Sequence, residues 1–361
     1  MPLLVSLAGL AFAAASPPSY TAADFVHVAK FDAHVHANTD QPAFMAVARR
    51  DGFELLSINV DYPDFPNLKI QARVAETMRR ADPQRFHYAT SFSMAGFGTP
   101  GWTARTNHAI DRALARGAVA VKVWKNVGMV ARDPAGRRIF LDDPRFNGVI
   151  RHLEARRIPL IAHQGEPKNC WLPLDQMTTE NDRSYFRDHP EYYMFIHPGE
   201  PSYEALMAHR DHFVALHPRL SFVGAHMASL EWSVDQLARF LDRYPRANVD
   251  LAARMTQVQF QSNGDHAKVR AFFVKYQDRL MYGTDLTQDP PDPTARAQNP
   301  PASDNFEADA NTTWRADWAY LATAAVQHVD AIKADTRGLE LPRGVIDKIY
   351  WSNARRVFKL R

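Results

Sequence analysis

The chain has 361 residues, 46% of them hydrophobic and 23% charged, an ordinary globular balance with enough apolar side chains to fill a large core. Its 43 basic and 40 acidic residues leave a net charge of +3 and are mixed along the chain, which argues against the electrostatic footprint of a nucleic-acid binder. The single cysteine, Cys170, excludes an intrachain disulfide and a zinc–thiolate site, and its neighbours Asn169 and Trp171 do not mark a nucleophile.

Residues 1–15 are apolar and end in Ala13–Ala14–Ala15, just before Ser16–Pro17–Pro18. The pattern is that of a signal-peptide core followed by a small-residue cleavage site, although Met1–Pro2 brings no basic residue; a buried N-terminal helix is the alternative. A membrane span needs about 20 apolar residues. The expectation is therefore a periplasmic or secreted protein with no span in its mature form, against a cytoplasmic one. Residues 16–29 read as a lead-in and 30–361 as one domain.

Strand-like runs then alternate with helical ones. Residues 31–37 form the first strand, followed by 53–61 (FELLSINVD), 86–94 (FHYATSFSM) and 118–125 (AVAVKVWK). The later strands are 159–165 (PLIAHQG), 220–227 (LSFVGAHM), 248–254 (NVDLAAR) and 279–286 (RLMYGTDL). Such short continuous apolar runs fit strands covered on both faces. Helices are predicted over 67–81, 102–116, 143–157, 203–216, 233–244 and 266–277, with Ser233 and Gln236 at capping-box spacing. Eight strands with helices between them predict a (β/α)8 TIM barrel; an open sheet is less consistent because no Gly-rich phosphate turn follows the first strand. Long loops at 126–142, 166–201 and 287–313 leave the C-terminal ends of strands, the face where barrels build their sites. They are expected to wall the substrate, the last without regular structure.

His34 and His36 stand two apart on the first strand and so share a face. Near the barrel mouth, two neutral imidazoles can chelate one cation at about 2.1 Å per bond. Alone the pair is equally consistent with structural histidines. Its company decides: His163, His226 and Asp285 each interrupt an apolar run at the same end of their strands, and buried polar groups there need a partner that a metal supplies. Asp32 is expected on the face of His34 and His36, bracing a ligand. Lys122 near the end of strand four would pair with a carboxylate or hold a substrate anion. Arg254, taken to end strand seven, would clamp a substrate carboxylate, and Trp124, with Trp102, Trp171 and Phe92, would line an apolar pocket. His189 and His197 read as surface or lid residues, and Glu166 lies close to the site.

The motifs FDAHVHAN, IAHQGEP, FVGAHMAS and MYGTDL, with KIYWSNARRVFKL at the C-terminus, resemble the amidohydrolase superfamily over about residues 30–361. The nearest likeness is to the amidohydrolase-related branch that includes aminocarboxymuconate semialdehyde decarboxylase. The resemblance implies metal ligands His34, His36, His163 and Asp285, with His226 beside them as acid/base and Asp285 also taking a proton from water. It implies one divalent metal ion, zinc by ligand type with manganese as the alternative, over a site bridged by Lys122.

The leading expectation is a metal-dependent hydrolase in which activated water attacks an ester, lactone or amide of a small substrate. A nonoxidative decarboxylase acting on a small carboxylate is the alternative, because the same branch hosts both. An inactive ligand-binding barrel is a third reading, opposed by the intact ligand set. Oligomeric state is not encoded legibly; a homo-oligomer is compatible.

Overall fold

The computed structural model describes residues 18–62, 65–290 and 305–360. The expected leader at 1–15 and most of the Pro-rich stretch after residue 290 lie outside the described residues. Eight parallel strands follow the predicted order: β1 (Lys30–Ala37), β2 (Phe53–Ile58), β3 (Phe86–Ser91), β4 (Ala118–Val123), β5 (Leu160–Ala162), β6 (Phe222–Gly224), β7 (Asn248–Asp250) and β8 (Leu280–Met281). A short β9 (Thr287–Gln288) pairs with β1, so the sheet runs β8-β7-β6-β5-β4-β3-β2-β1-β9.

β8 and β9 belong to one stretch of chain, and that stretch curls the sheet. On one side Val249 N–H and Leu251 N–H donate to Arg279 and Met281 carbonyls at 3.0 Å. On the other, Ala33 N–H reaches Tyr282 O at 2.9 Å, Asp285 N–H reaches His34 O at 2.8 Å, and His36 N–H reaches Leu286 O at 2.9 Å. The result is a TIM-barrel-like α/β fold. Gly283 lies where β1 and the 282–286 segment pass closely; a Cβ there would sit 3.1 Å from the His34 Cβ.

The ten longer helices are α1 (Ala43–Asp51), α2 (Leu68–Ala81), α3 (Trp102–Ala115), α4 (Asn147–Arg156), α5 (Glu180–Asp188), α6 (Tyr203–Leu216), α7 (Val234–Arg243), α8 (Met255–Gly264), α9 (His266–Lys275) and α10 (Phe306–Ala322). Ser233 caps α7 as its spacing predicts, its hydroxyl accepting Gln236 N–H at 3.4 Å. Burial divides the strand side chains into two sets. Phe31, Leu56, Ile58, Ala89, Ala120, Ile161, Val223 and Met281 form an inner cluster, closed below by Ala354, Val357 and Phe358. Alternate residues such as Val35, Leu55, Tyr88, Val121 and Leu160 join the larger outer cluster under the helices. Both faces are covered, which is why the strands read as unbroken apolar runs.

Several expectations need correction. α1, α8 and α10 were not foreseen; in α8 the apolar residues trace no clear stripe. The 287–313 connection is regular at both described ends, in β9 and the first turns of α10. The 166–201 connection carries α5 and four short 3-10 turns. A C-terminal hairpin, Val326–Val329 with Ala334–Arg337, was also missed. No helix among the described residues is long and apolar enough to cross a membrane.

Candidate metal centre

Four imidazoles converge at the carboxyl ends of the strands. The His34 ring lies 5.4 Å from His36 and 4.7 Å from His226, which lies 4.2 Å from His163. His34, His36, His163 and His226 are all at most 5% exposed. Burial pulls the His34 imidazole below its usual pKa, with Lys122 adding to the effect, and pulls His163 and His226 well below it. These three rings are therefore neutral near pH 7 and carry a lone pair for a cation.

Three of the four rings are aimed by their other nitrogen. His36 Nδ1 meets Ile58 O at 2.7 Å, and His226 Nδ1 meets Ala252 O at 2.9 Å; a carbonyl accepts only, so Nδ1 carries the proton and Nε2 is left open in both. His34 Nδ1 meets Asp250 Oδ2 at 2.9 Å, which likewise frees its Nε2. The free nitrogens of His34 and His36 then face one atom, Asp285 Oδ1, at 3.3 and 3.2 Å. That oxygen is sealed from solvent while the carboxylate as a whole is 32% exposed. Burial works to raise the Asp285 carboxyl, but His226, His36 and His34 outweigh it and hold the group well below the usual carboxylate range.

These groups fit a divalent cation. His34, His36 and Asp285 present ligand atoms within 4.8 Å of one another. His163 has no hydrogen-bond partner at either ring nitrogen despite its burial, a cost that a bound ion would remove. His163 stands outside the tight group, flanking it through His226. A second grouping, His34, His226 and Asp250, also has converging ligand atoms. There, however, Asp250 is already used: Oδ1 accepts His226 N–H at 2.8 Å and Ala252 N–H at 3.2 Å, while Oδ2 holds His34. Asp250 therefore orients the cluster rather than offering a free ligand.

Asp250 was missed in the sequence. The signal was present: it closes β7 as His163 and His226 follow β5 and β6, but reading the strand on to Arg254 hid it. Arg254 lies beyond β7 as the residue before α8; its Nη1 donates to Ala253 O at 2.8 Å and its buried Nε has no partner.

Asp32 does not share the face of His34. A β-bulge between Asp32 and Val35 shifts the alternation by one residue. Ala33 points inward, and Asp32 points behind the strand to Thr284 Oγ1 at 2.6 Å and Trp314 Nε1 at 2.9 Å. It still accepts the His34 amide, at 3.3 Å, so it braces the backbone of β1. Burial pushes its carboxyl up to about 6.

Lys122 is inside, with Nζ 3.4 Å from His34 Nε2, and burial pushes its ammonium down to about 8 against the pull of Asp250 and Asp285. Trp124 stacks obliquely on Tyr62 at 4.0 Å and stands 6.3 Å from His163, while Trp102 belongs to an aromatic core cluster with Phe97 and Phe146. Cys170 is buried, donates to Tyr192 O at 2.9 Å, and is held as a neutral thiol by that burial. Glu166 is buried in an ion pair with Lys125.

The backbone here is strained. His226, Met227, Ala228 and Ser229 all have φ of 56–57°, a full left-handed turn made without glycine, and Ala253 and Asp285 add φ of 53° and 70°. Left-handed geometry costs roughly 1–2 kcal/mol per residue, and such strain gathers at functional sites.

The amidohydrolase family model matches residues 4–360. This chain belongs to the amidohydrolase family. It is similar in fold to the 2,6-dihydroxybenzoate decarboxylase from Rhizobium, with 15% identity and a TM-score of 0.52 over 92% of this chain and 99% of that one. An amidohydrolase II structure gives 15% identity and a TM-score of 0.50 over 92% and 100% of the two chains. At such identity the likeness concerns the fold alone. No curated protein matches the chain. Members of the amidohydrolase superfamily are metal-dependent, in keeping with the histidine and aspartate cluster.

Proposed function

We propose that this protein is a mononuclear metal-dependent hydrolase acting on a small ester, lactone or amide. The observation that carries the reading is the sealed Asp285 Oδ1, held 3.3 and 3.2 Å from Nε2 of His34 and of His36. His34, His36, His163 and Asp285 would hold the ion, zinc by the nitrogen and oxygen donor set, with manganese also accommodated. When bound, a divalent cation supplies Lewis acidity and lowers the pKa of water from about 15.7 towards 7. Asp285, ionised at neutral pH, accepts the proton released by the attacking water. His226, neutral and with Nε2 unprotonated, takes that proton on and returns it to the leaving group.

A nonoxidative decarboxylase is the second reading. It is favoured by Lys122 and Arg254, two buried cations near the cluster, neither in salt-bridge contact with a carboxylate among the described residues. Either would grip a substrate carboxylate.

Metal analysis of purified protein tests the shared premise. About one ion per chain is expected, falling to none in His34→Ala; absence of metal in the gently purified wild type would sink the proposal, and two ions would point to a site bridged by Lys122. Incubation with lactones, esters and aromatic carboxylates separates the chemistries. Release of carbon dioxide without hydrolysis would replace the first reading by the second.

A further inference from the structure

A cavity of about 1030 Å³ opens at the end of the barrel opposite the histidines. Its wall is built by residues that immediately precede strands: Arg157 before β5, Arg219 and Ser221 before β6, Arg246 before β7 and Arg279 before β8. Arg151 of α4 and, from the C-terminal turns, Arg356 and Lys359 complete its basic lining, in which Glu154 is the only acid. Taking these seven cations and one acid from the chain's 43 and 40 leaves 36 basic against 39 acidic residues. The rest of the chain is therefore slightly acidic.

The charges are held but not neutralised. Among the described residues, only Arg219 has a carboxylate within salt-bridge distance, Glu154 at 3.8 Å, and Arg219 is 80% exposed. Arg279 and Arg356 are fixed by backbone carbonyls, at 2.7 Å to Tyr244 O and 2.6 Å to Asp278 O, and Lys359 by Arg157 O. Asn248, 5% exposed at the cavity wall, donates Nδ2 to Arg246 O at 3.2 Å and so holds the backbone that carries Arg246.

Six of the seven cations are arginines, whose planar forks match phosphate oxygens in bidentate fashion. The volume is at the upper end of small-molecule sites, roughly 300–1,000 Å³. We propose that this cavity binds a small phosphate-bearing polyanion such as a nucleotide or a sugar phosphate. The site is separate from the metal centre and stands whether or not the hydrolase reading does.

Calorimetric titration with ATP, tripolyphosphate and adenosine tests it, in parallel on wild type, Arg246→Glu, Arg151→Glu and His34→Ala. ATP and tripolyphosphate are expected to bind saturably and more weakly as salt is raised, and adenosine not to bind. Each arginine reversal is expected to weaken ATP at least about tenfold, consistent with loss of a charge-assisted contact, and His34→Ala to leave it unchanged. Both arginines are exposed, so the variants should melt as the wild type does; if one fails to fold, the other and the salt dependence still decide. The proposal falls if adenosine binds as well as ATP, if ATP binding survives both reversals, or if it is lost in His34→Ala. Binding to phosphatidylserine vesicles without binding of either soluble polyphosphate would also overturn it.

Discussion

At the carboxyl ends of the strands the polar side chains are imidazoles and carboxylates, while at the amino ends they are arginines. The first set is largely buried, three of its four rings are held by a hydrogen bond at Nδ1, and the backbone is strained at His226 and Asp285. The second is mostly exposed, short of counterions, and carried on ordinary backbone except at Arg157 and the neighbouring Lys359. Neutral rings with one nitrogen pinned are suited to binding a cation at fixed geometry, and permanently charged forks on a concave rim are suited to gripping an anion. One curled sheet thus separates two opposite electrostatic tasks.

The sharpest way to break the contrast is at Asp285. Asp285→Asn removes the proton acceptor but keeps shape, so turnover is expected to fall roughly 10²–10⁴-fold. ATP binding at the arginine end should not change. A joint loss of both would mean that the two ends are coupled and not separate.

Asp250→Asn tests how the histidine end is aimed. An amide can no longer hold both the His34 ring and the His226 amide with full charge, and loss of such an orienting partner typically costs 10–100-fold in metal affinity. Competition with a chromogenic chelator reads this directly. Unchanged affinity would show that His34 is positioned by β1 alone.

These two carboxylates also mark the limit of what the sequence disclosed. Asp285 was legible because each barrel strand brings its last inward residue to the mouth, so spacing along eight runs sufficed. Asp250 obeys the same logic, yet the strand was read too long, and the polar residue appeared to fall in mid-strand. Asp32 was misplaced for a related reason: one extra residue in β1 inverts the alternation, and a bulge leaves no mark in apolar pattern. The left-handed turn at His226 had no glycine to announce it. The arginine cavity was hidden differently, since its residues are scattered from 151 to 359 and a net charge of +3 averages them away.

The ends should also differ in their response to pH. Behind the histidine end, burial raises the Asp317 carboxyl to about 7, against a hydrogen bond from Tyr282 Oη at 2.8 Å that favours ionisation. A carboxyl raised on folding contributes stability that is complete below its unfolded pKa, 3.8, and is lost as pH rises through about 7. The wild type should therefore lose stability over that window by up to about 1.4 kcal/mol per pH unit. Asp317→Asn should flatten the dependence and melt higher than wild type at pH 8. Thermal melts at pH 5 and pH 8 provide the measurement; parallel curves would remove Asp317 as the cause. Arginines do not titrate in this range, so Arg246→Glu should leave the slope intact.

The smallest effect concerns strain. Ala228 sits in the left-handed turn with φ 56° and no polar side chain to contribute to the site. Ala228→Gly relieves about 1–2 kcal/mol of steric cost in the folded state and gives back about 0.4–1 kcal/mol through a more flexible unfolded chain. A net gain of about 0.5–1 kcal/mol is expected, visible as a small rise in Tm. Arg157, also left-handed at φ 55°, lies at the arginine end and closes α4. Arg157→Gly should bring a similar gain in stability, but there the side chain is part of the anion cavity, so ATP binding should weaken as the fold is stabilised. If Ala228→Gly instead lowers activity without changing metal content, the turn is setting the angle of His226 rather than merely tolerating it.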